Sequence, residues 1–138
     1  MTKVKGACLC SAVSYETDTE SMMIVACHCS QCRKQSAAAF SVNVAVPMAA
    51  LRMTGAPATF DDTGHSGLPL RRHFCATCGS PVFSDADAMP GVALIKAGTL
   101  DDPSWAQPQM NIWCGSALPW VQMGAEAACF DANLPVPA

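Results

Sequence analysis

The sequence has few charged residues, and that scarcity already excludes several classes of protein. Charged side chains make up 14% of the chain, 8 basic against 11 acidic, while apolar residues make up 51%. Intrinsic disorder requires low hydrophobicity and high charge, so this composition excludes it. A net charge of −3 argues against nucleic acid as a partner, because affinity for phosphates rests on clustered Lys and Arg.

Long apolar segments are also lacking. The most apolar stretch, residues 37–51, is interrupted by Asn43 and Pro47 and is shorter than a bilayer span, so we expect no membrane partner. No apolar run of signal-peptide length follows Lys3 and Lys5. We therefore expect a cytoplasmic protein, in which thiols stay reduced.

The chain length suits one domain, and the turn residues suit a β fold. We expect a single domain over residues 1–138. Phe40 to Val46 alternate apolar and polar residues, which predicts a half-buried strand, and Thr63–Pro69 is typical of a mobile surface loop. Helices are predicted only at Ser30–Ala37 and Pro47–Leu51, so the fold class is mostly β with only short helices. Further strands are predicted at Ala12–Thr17, Met22–Cys27, Leu51–Thr54, Leu70–Phe74, Val92–Ala97 and Met110–Cys114.

Seven of the nine cysteines fall into three tight groups, which is the spacing of metal ligands. Two groups of two complete a closed four-thiolate site, which is the structural pattern for zinc. The group of three leaves one coordination position open, which is the catalytic pattern. The structural zinc site is predicted at Cys8, Cys10, Cys75 and Cys78, and the catalytic zinc site at Cys27, Cys29 and Cys32.

Other interpretations of these residues remain open at the sequence level. Cys75 and Cys78 alone could form a redox dithiol, although no βαβ pattern surrounds them. The three-cysteine site could be closed by a fourth protein ligand. The two remaining cysteines are isolated, and we expect them to be small buried apolar residues. The candidates for the fourth ligand are His28, His65 and His73, and the isolated cysteines are Cys114 and Cys129.

Several stretches resemble the glutathione-dependent formaldehyde-activating enzyme family, which also includes centromere protein V. The resemblance covers nearly the whole chain and includes seven cysteines in the same order and spacing. It departs from the family at Asn111, where relatives often carry a histidine. The stretches are Gly6–Cys10, Cys27–Lys34, Arg72–Pro81, Lys96–Asp102 and Pro119–Val121.

This resemblance implies a β-tent fold, in which small antiparallel sheets are braced by a structural zinc. It also implies the same division of the cysteines between two metal sites. The family's named activity joins glutathione and formaldehyde into S-hydroxymethylglutathione, which is a carbon–sulfur lyase reaction. The implied partners are therefore a small thiol and a small aldehyde.

Basic residues beside the cysteines are candidates for binding such a substrate. Glutathione has two carboxylates, and Arg33, Lys34, Arg71 and Arg72 are expected partners for them. His65, in the predicted surface loop, is a candidate acid or base.

Three competing functions stay open. The chain could be a zinc-stabilised interaction module without activity, a lyase for a different thiol adduct, or a zinc-ribbon nucleic-acid binder. Loading both sites and ionising seven thiolates would take the net charge from −3 to about −6, which disfavours the last of these.

Overall fold

The computed structural model describes residues 2–20, 22–124 and 127–133. The prediction of a mostly β fold with short helices is confirmed, because the described residues contain eleven strands and a single α-helix, α1 (Ser30–Ser36). The strands are β1 (Thr2–Ala7), β2 (Ser14–Thr19), β3 (Met23–Cys27), β4 (Ser41–Pro47), β5 (Arg52–Thr54), β6 (Ala58–Thr63), β7 (Pro69–Phe74), β8 (Pro81–Ala86), β9 (Val92–Lys96), β10 (Met110–Ile112) and β11 (Ala128–Cys129).

The strands form two sheets. The smaller sheet has the order β1-β2-β5, and the larger has the order β11-β10-β3-β4-β9-β8-β7-β6. Neighbouring strands are antiparallel except at one end of the larger sheet, where β10 runs parallel to both β3 and β11. The hydrophobic core lies between the two sheets, because it takes Val4 and Tyr15 from the smaller sheet and Val44 and Ile95 from the larger.

The two faces of the larger sheet differ in polarity. Along β4, Val44 and Val46 point into the core, while Ser41 and Asn43 lie on the opposite face and are nonetheless buried. Cross-strand partners share a face, so the register extends this polar face across β3, β9, β8 and β7. The buried polar face is where the candidate site is built.

The predicted helix at residues 30–37 is α1, whereas the second predicted helix is only a 3₁₀ turn at Met48–Ala50. α1 begins at the N-cap Cys29, and it ends at Ala37, whose left-handed backbone lets its N–H reach the carbonyls of Arg33 and Lys34. No helix among the described residues has the length and apolar character needed to span a bilayer.

The predicted loop at residues 63–69 is the turn of the β6–β7 hairpin. The amide of Gly64 donates to the carbonyl of Leu68 at 2.9 Å, and the amide of Gly67 donates to that of Gly64 at 3.0 Å. Gly67 has φ of +82°, a conformation that glycine adopts without strain. This turn carries His65 over the polar face of the larger sheet.

Candidate metal centres

The structure brings Cys8, Cys10, Cys75 and Cys78 together in one group, which we call the four-cysteine cluster. All four sulfurs lie within 4.8 Å of one another. The Sγ of Cys10 is 3.7 Å from the Sγ of Cys8 and 3.7 Å from the Sγ of Cys75. Four sulfurs placed tetrahedrally at about 2.3 Å from a zinc ion are about 3.8 Å apart, so these spacings fit the ion.

Two tight turns hold these cysteines in place. After β1, the amide of Val13 donates to the Sγ of Cys8 at 3.3 Å, and Ser11 takes a left-handed conformation. After β7, the amide of Gly79 donates to the carbonyl of Cys75 at 2.8 Å, and Gly79 has φ of +80°. Because a positive φ favours glycine, this position explains why a glycine directly follows the CxxC.

The four-cysteine cluster joins the two sheets. Cys8 follows β1 of the smaller sheet, while Cys75 lies between β7 and β8 of the larger one, and both are buried. Ser80 adds a second connection, because its hydroxyl accepts from the amide of Leu9 at 3.1 Å. Hydrogen bonds from the side chain and backbone of Ser80 also lower the pKa of Cys78 to about 5, which favours the thiolate that binds metal.

The second group, Cys27, Cys29 and Cys32, also forms in the structure, and we call it the three-cysteine cluster. Cys27 ends β3, Cys29 is the N-cap of α1, and Cys32 lies in the first turn of that helix. Their sulfurs lie within 4.8 Å of one another. The Sγ of Cys29 also accepts a hydrogen bond from the amide of Cys32 at 3.3 Å.

The donor set of the three-cysteine cluster suits a cation. Hydrogen bonds from the thiols of Cys27 and Cys32 hold the pKa of Cys29 far below its usual range. The same contact with Cys29 raises the pKa of Cys27. The thiol protons of Cys27 and Cys32 thus stabilise a thiolate at Cys29. A divalent metal bound to the three sulfurs would displace these protons and supply the positive charge in their place.

None of the three histidines belongs to the three-cysteine cluster as a further close ligand. His28 is buried and its Nε2 lies 2.9 Å from the Oδ1 of Asn111, so this ring nitrogen is occupied by the amide of Asn111. His73 is bonded on both ring nitrogens, to Thr59 at 2.9 Å and to Asp85 at 2.6 Å.

A cavity of about 150 Å³ opens beside the three-cysteine cluster. His65 and Trp113 form part of its wall, with their ring centroids 4.2 Å apart. His65 also lies close enough to Cys29 for a side-chain hydrogen bond that contributes to the lowered pKa of that thiol. His65 is thus the histidine that lines the cavity beside the cluster.

Trp113 has a strained backbone at this cavity. Its φ of 57° and ψ of 39° lie in the left-handed region, which is rare for a bulky residue. Its indole Nε1 donates to the Oδ1 of Asn133 at 2.8 Å, which fixes the ring over the cavity. Such strain is concentrated at functional sites, where it positions a side chain that relaxed backbone could not.

The predicted substrate-binding cations lie in different places. Arg72 lines the cavity, but its Nε is 2.9 Å from Asp62 and its charge is therefore balanced. Arg33 donates to the carbonyls of His28 and Ser116 at 3.2 and 2.9 Å, away from the lining of the cavity. Lys34 is exposed and outside that lining.

Arg71 does not reach the cavity. It alternates with Arg72 along β7 and points to the other face of the larger sheet. There its guanidinium is held by Asp85 at 2.7 Å and by Asp87 at 2.8 Å. These two carboxylates raise the pKa of Arg71 and leave its charge compensated.

Sequence reasoning missed Lys96 as a member of the site. Lys96 is 8% exposed, lines the cavity, and donates from Nζ to the hydroxyl of Ser41 at 2.9 Å. Burial lowers the pKa of Lys96, whereas the nearby sulfur of Cys32 acts in the opposite direction. The sequence feature that could have identified Lys96 is its position as a lysine at the end of the otherwise apolar strand β9.

The prediction that Cys114 and Cys129 are isolated, buried apolar residues is wrong, because the two cysteines form a disulfide. Their Cα atoms are 6.2 Å apart, and Cys129 is exposed. The bond is possible because β10 and β11 run side by side in parallel, with Asn111 opposite Cys129. The disulfide links the segment that contains Trp113 to the segment that contains Asn133.

Comparisons with known proteins agree with this fold and these clusters. A family profile described as "Glutathione-dependent formaldehyde-activating enzyme" matches residues 3–116 of the chain. A crystal structure of a Rhodobacter sphaeroides protein superposes with a TM-score of 0.58, at 22% identity, over 70% of this chain and 87% of that one. At this identity the likeness shows a shared fold. No curated protein sequence matches the chain.

Proposed function

The chain belongs to the glutathione-dependent formaldehyde-activating enzyme family, and from this premise we propose that it is a zinc-dependent carbon–sulfur lyase. The reaction is the addition of a small thiol such as glutathione to a small aldehyde such as formaldehyde, and its reversal. The observation that carries the proposal is the three-cysteine cluster, which faces a cavity and has no fourth protein ligand among the described residues.

We assign a structural zinc to the four-cysteine cluster and a catalytic zinc to the three-cysteine cluster. The first assignment is supported by the sulfur spacings of 3.7 Å and by the burial of Cys8 and Cys75. The second is supported by three close sulfurs, which leave one position of a tetrahedral ion for an exogenous ligand. Zinc held by three thiolates is a weak Lewis acid and a good partner for a thiol.

The size of the cavity suits the carbonyl partner. At about 150 Å³ it admits a one-carbon aldehyde and the CH₂–S end of a thiol, and it leaves the rest of a tripeptide outside. Leu70, Leu94 and Ile112 form apolar parts of its lining, next to the one-carbon group of the adduct.

His65 is the proposed proton donor and acceptor. In the forward direction the carbon–sulfur bond forms, the carbonyl π electrons move to oxygen, and this oxygen takes a proton. We assign that proton to His65, because the imidazole lies at the cavity wall beside Cys29 and is itself exposed to solvent. In the reverse direction His65 accepts the proton as the carbon–sulfur bond breaks. The cytoplasm, where glutathione is abundant, is the proposed location.

The test is exchange spectroscopy, because glutathione and formaldehyde also combine without a catalyst. NMR of an equilibrium mixture measures how fast free glutathione and its hydroxymethyl adduct interconvert. Zinc-loaded protein should raise this rate above the uncatalysed background, and Cys29→Ser should return it to background while the protein remains folded. A zinc-loaded wild-type protein that leaves the rate unchanged would refute the proposed substrates, and a screen of other thiol adducts would then follow.

A further inference from the structure

Lys96 is a buried cation whose charge has no carboxylate partner in the part of the chain that the structure describes. Its side chain is 8% exposed, and the polar contact at its Nζ is the neutral hydroxyl of Ser41 at 2.9 Å. Within residues 2–20, 22–124 and 127–133, no carboxylate lies within ion-pair distance of this ammonium group. An unpaired buried charge is costly, so Lys96 keeps its charge only where negative groups elsewhere in the site balance it, and the nearest such groups are the sulfurs of the three-cysteine cluster.

The strand register places Lys96 near the three-cysteine cluster. Cys27 lies directly opposite Ser41 on β4, and Lys96 lies opposite Asn43, two residues further along the same strand. Because cross-strand partners and residues two apart share a face, Cys27 and Lys96 flank β4 on the polar face of the sheet. Both residues line the same cavity.

The charges at this cavity leave Lys96 available for a ligand. Arg72, which also lines the cavity, forms an ion pair with Asp62, and this carboxylate balances its charge. With a divalent ion bound, three thiolates would sum to −1, and a fourth thiolate from the substrate would bring the total to −2. Lys96 would offset only half of that charge, and it is the lining cation that is buried beside the cluster with no carboxylate partner among the described residues.

We propose that Lys96 is the positioning residue that recognises the sulfur of the substrate thiol and stabilises it as the thiolate. The inference rests on the proposed function and names the substrate group that Lys96 recognises. A thiol that binds in this way releases its proton to solvent, and the ammonium group of Lys96 compensates the charge left on sulfur. Ser41, which in turn donates to the Oδ1 of Asn43 at 3.3 Å, holds the ammonium group in place.

A carboxylate of glutathione is the alternative ligand for this ammonium group. The position of Lys96 favours sulfur, because the buried Nζ lies on the face that carries the cysteines. A second cavity of about 520 Å³ lies on the other side of Lys96 and is also lined by Ser80 and Gly98. That cavity has room for the rest of a tripeptide and therefore for its carboxylates. An experiment must distinguish whether Lys96 binds the sulfur or a carboxylate.

The experiment compares two thiols that differ in their carboxylates. Glutathione carries two, and 2-mercaptoethanol carries none. Isothermal titration of each thiol into zinc-loaded protein, without aldehyde, gives the binding constants for the wild type and for Lys96→Met. Loss of a charge-assisted contact to sulfur should weaken both thiols by the same factor, about tenfold or more. Lys96→Arg should restore part of the affinity, because it keeps the charge.

Three outcomes count against the inference. Weaker binding of glutathione alone would assign Lys96 to a carboxylate, and unchanged binding of both thiols would remove Lys96 from recognition. A wild-type protein that binds neither thiol overturns the inference as well. A wild-type protein that binds thiols but does not speed their exchange with the aldehyde adduct would instead refute the proposed function alone.

Three controls separate recognition from folding. Lys3→Met removes one exposed positive charge at a distance from the site and should leave both binding constants unchanged. Zinc content and thermal unfolding of each variant show whether the clusters are intact. Lys96→Gln replaces the methionine variant if that protein does not fold, since its amide can still bond to Ser41. In steady-state assays the loss should appear mainly in KM for the thiol and less in kcat.

Discussion

The imidazole of His28 is bonded to Asn111, with Nε2 and Oδ1 2.9 Å apart, and His28 is not a member of the three-cysteine cluster that its sequence neighbours form. Both residues are at most 5% exposed. The bond connects the residue after β3 to the neighbouring strand β10, where the two strands run in parallel. An asparagine at this position therefore fixes the ring of a histidine that lies between two candidate metal ligands in sequence.

Asn111→Ala should destabilise the protein without removing metal. The substitution leaves the buried N–H of His28 without an acceptor, which lowers the free energy of unfolding by about 1–3 kcal/mol. Urea denaturation of the zinc-loaded protein measures this change. Asn133→Ala is the matched control, because it removes an exposed amide whose loss should cost at most about 0.5 kcal/mol. Equal losses in the two variants would show that the buried bond to His28 is not the cause.

The two cysteine clusters should respond differently to single substitutions. Cys75→Ser removes a ligand from the cluster that joins the two sheets, and because structural metal binding is coupled to folding, this variant should lose its zinc and its cooperative thermal transition. Cys29→Ser removes a ligand from the cluster beside the cavity, and it should stay folded while it loses one zinc per chain. Metal analysis and circular dichroism measure both effects. If Cys29→Ser unfolds instead, the division into structural and catalytic sites is wrong.

The candidate metal ligands could be predicted from the sequence, because a CxC or a CxxC brings two sulfurs together through a few residues of backbone. The pairing of Cys8 and Cys10 with the distant Cys75 and Cys78 followed instead from the four ligands that a closed zinc site requires, and both predicted groups converge in the structure. The approach of Lys96 to Cys27 could not be predicted, since it depends on how β3 and β9 align on β4. The disulfide between Cys114 and Cys129 was missed for the same reason, because it requires a parallel pairing of β10 with β11.

The alternation of apolar and polar residues predicted β4 from the sequence. β8 was missed, because Val82, Phe83 and Ser84 are buried in succession and the sequence there does not alternate. β1 was missed because Gly6 gives no apolar signal. A Cβ at Gly6 would collide with the hydroxyl of Tyr15 and the carbonyl of Thr99, so the tight packing of this strand is visible only in three dimensions.

Asp62→Asn should destabilise the protein more than Asp87→Asn does. Asp62 is the partner of the buried Arg72, and its loss leaves that guanidinium without a charged acceptor, at a cost of about 1.5–3 kcal/mol. Asp87 pairs with Arg71 at the surface, and its loss should cost at most about 1 kcal/mol. Chemical denaturation of both variants measures the difference.

The pH dependence of this difference follows from the pKa of Asp62. The contact with Arg72 holds that pKa below its ordinary value of 3.8, so the contribution of Asp62 to stability is fully present above this pH and is lost as the pH falls through the folded pKa. The difference between wild type and Asp62→Asn should therefore be the same at about pH 8 and about pH 6. A difference that shrinks between these two values would mean that a group other than Asp62 titrates in the pair.

Reduction of the disulfide between Cys114 and Cys129 should destabilise the protein and weaken the wall of the cavity. The bond closes a loop with a sequence separation of 15, and constraint of such a loop in the unfolded chain stabilises the fold by roughly 3 kcal/mol. Its reduction frees the segment in which Asn133 accepts the bond from Trp113, so the indole that stacks on His65 should also become less ordered. Cys114→Ser mimics the reduced state without an added thiol, which would also occupy the proposed substrate site. Denaturation and tryptophan fluorescence of this variant should differ from those of the oxidised wild type in both stability and emission, and identical results would mean that the bond does not support the wall.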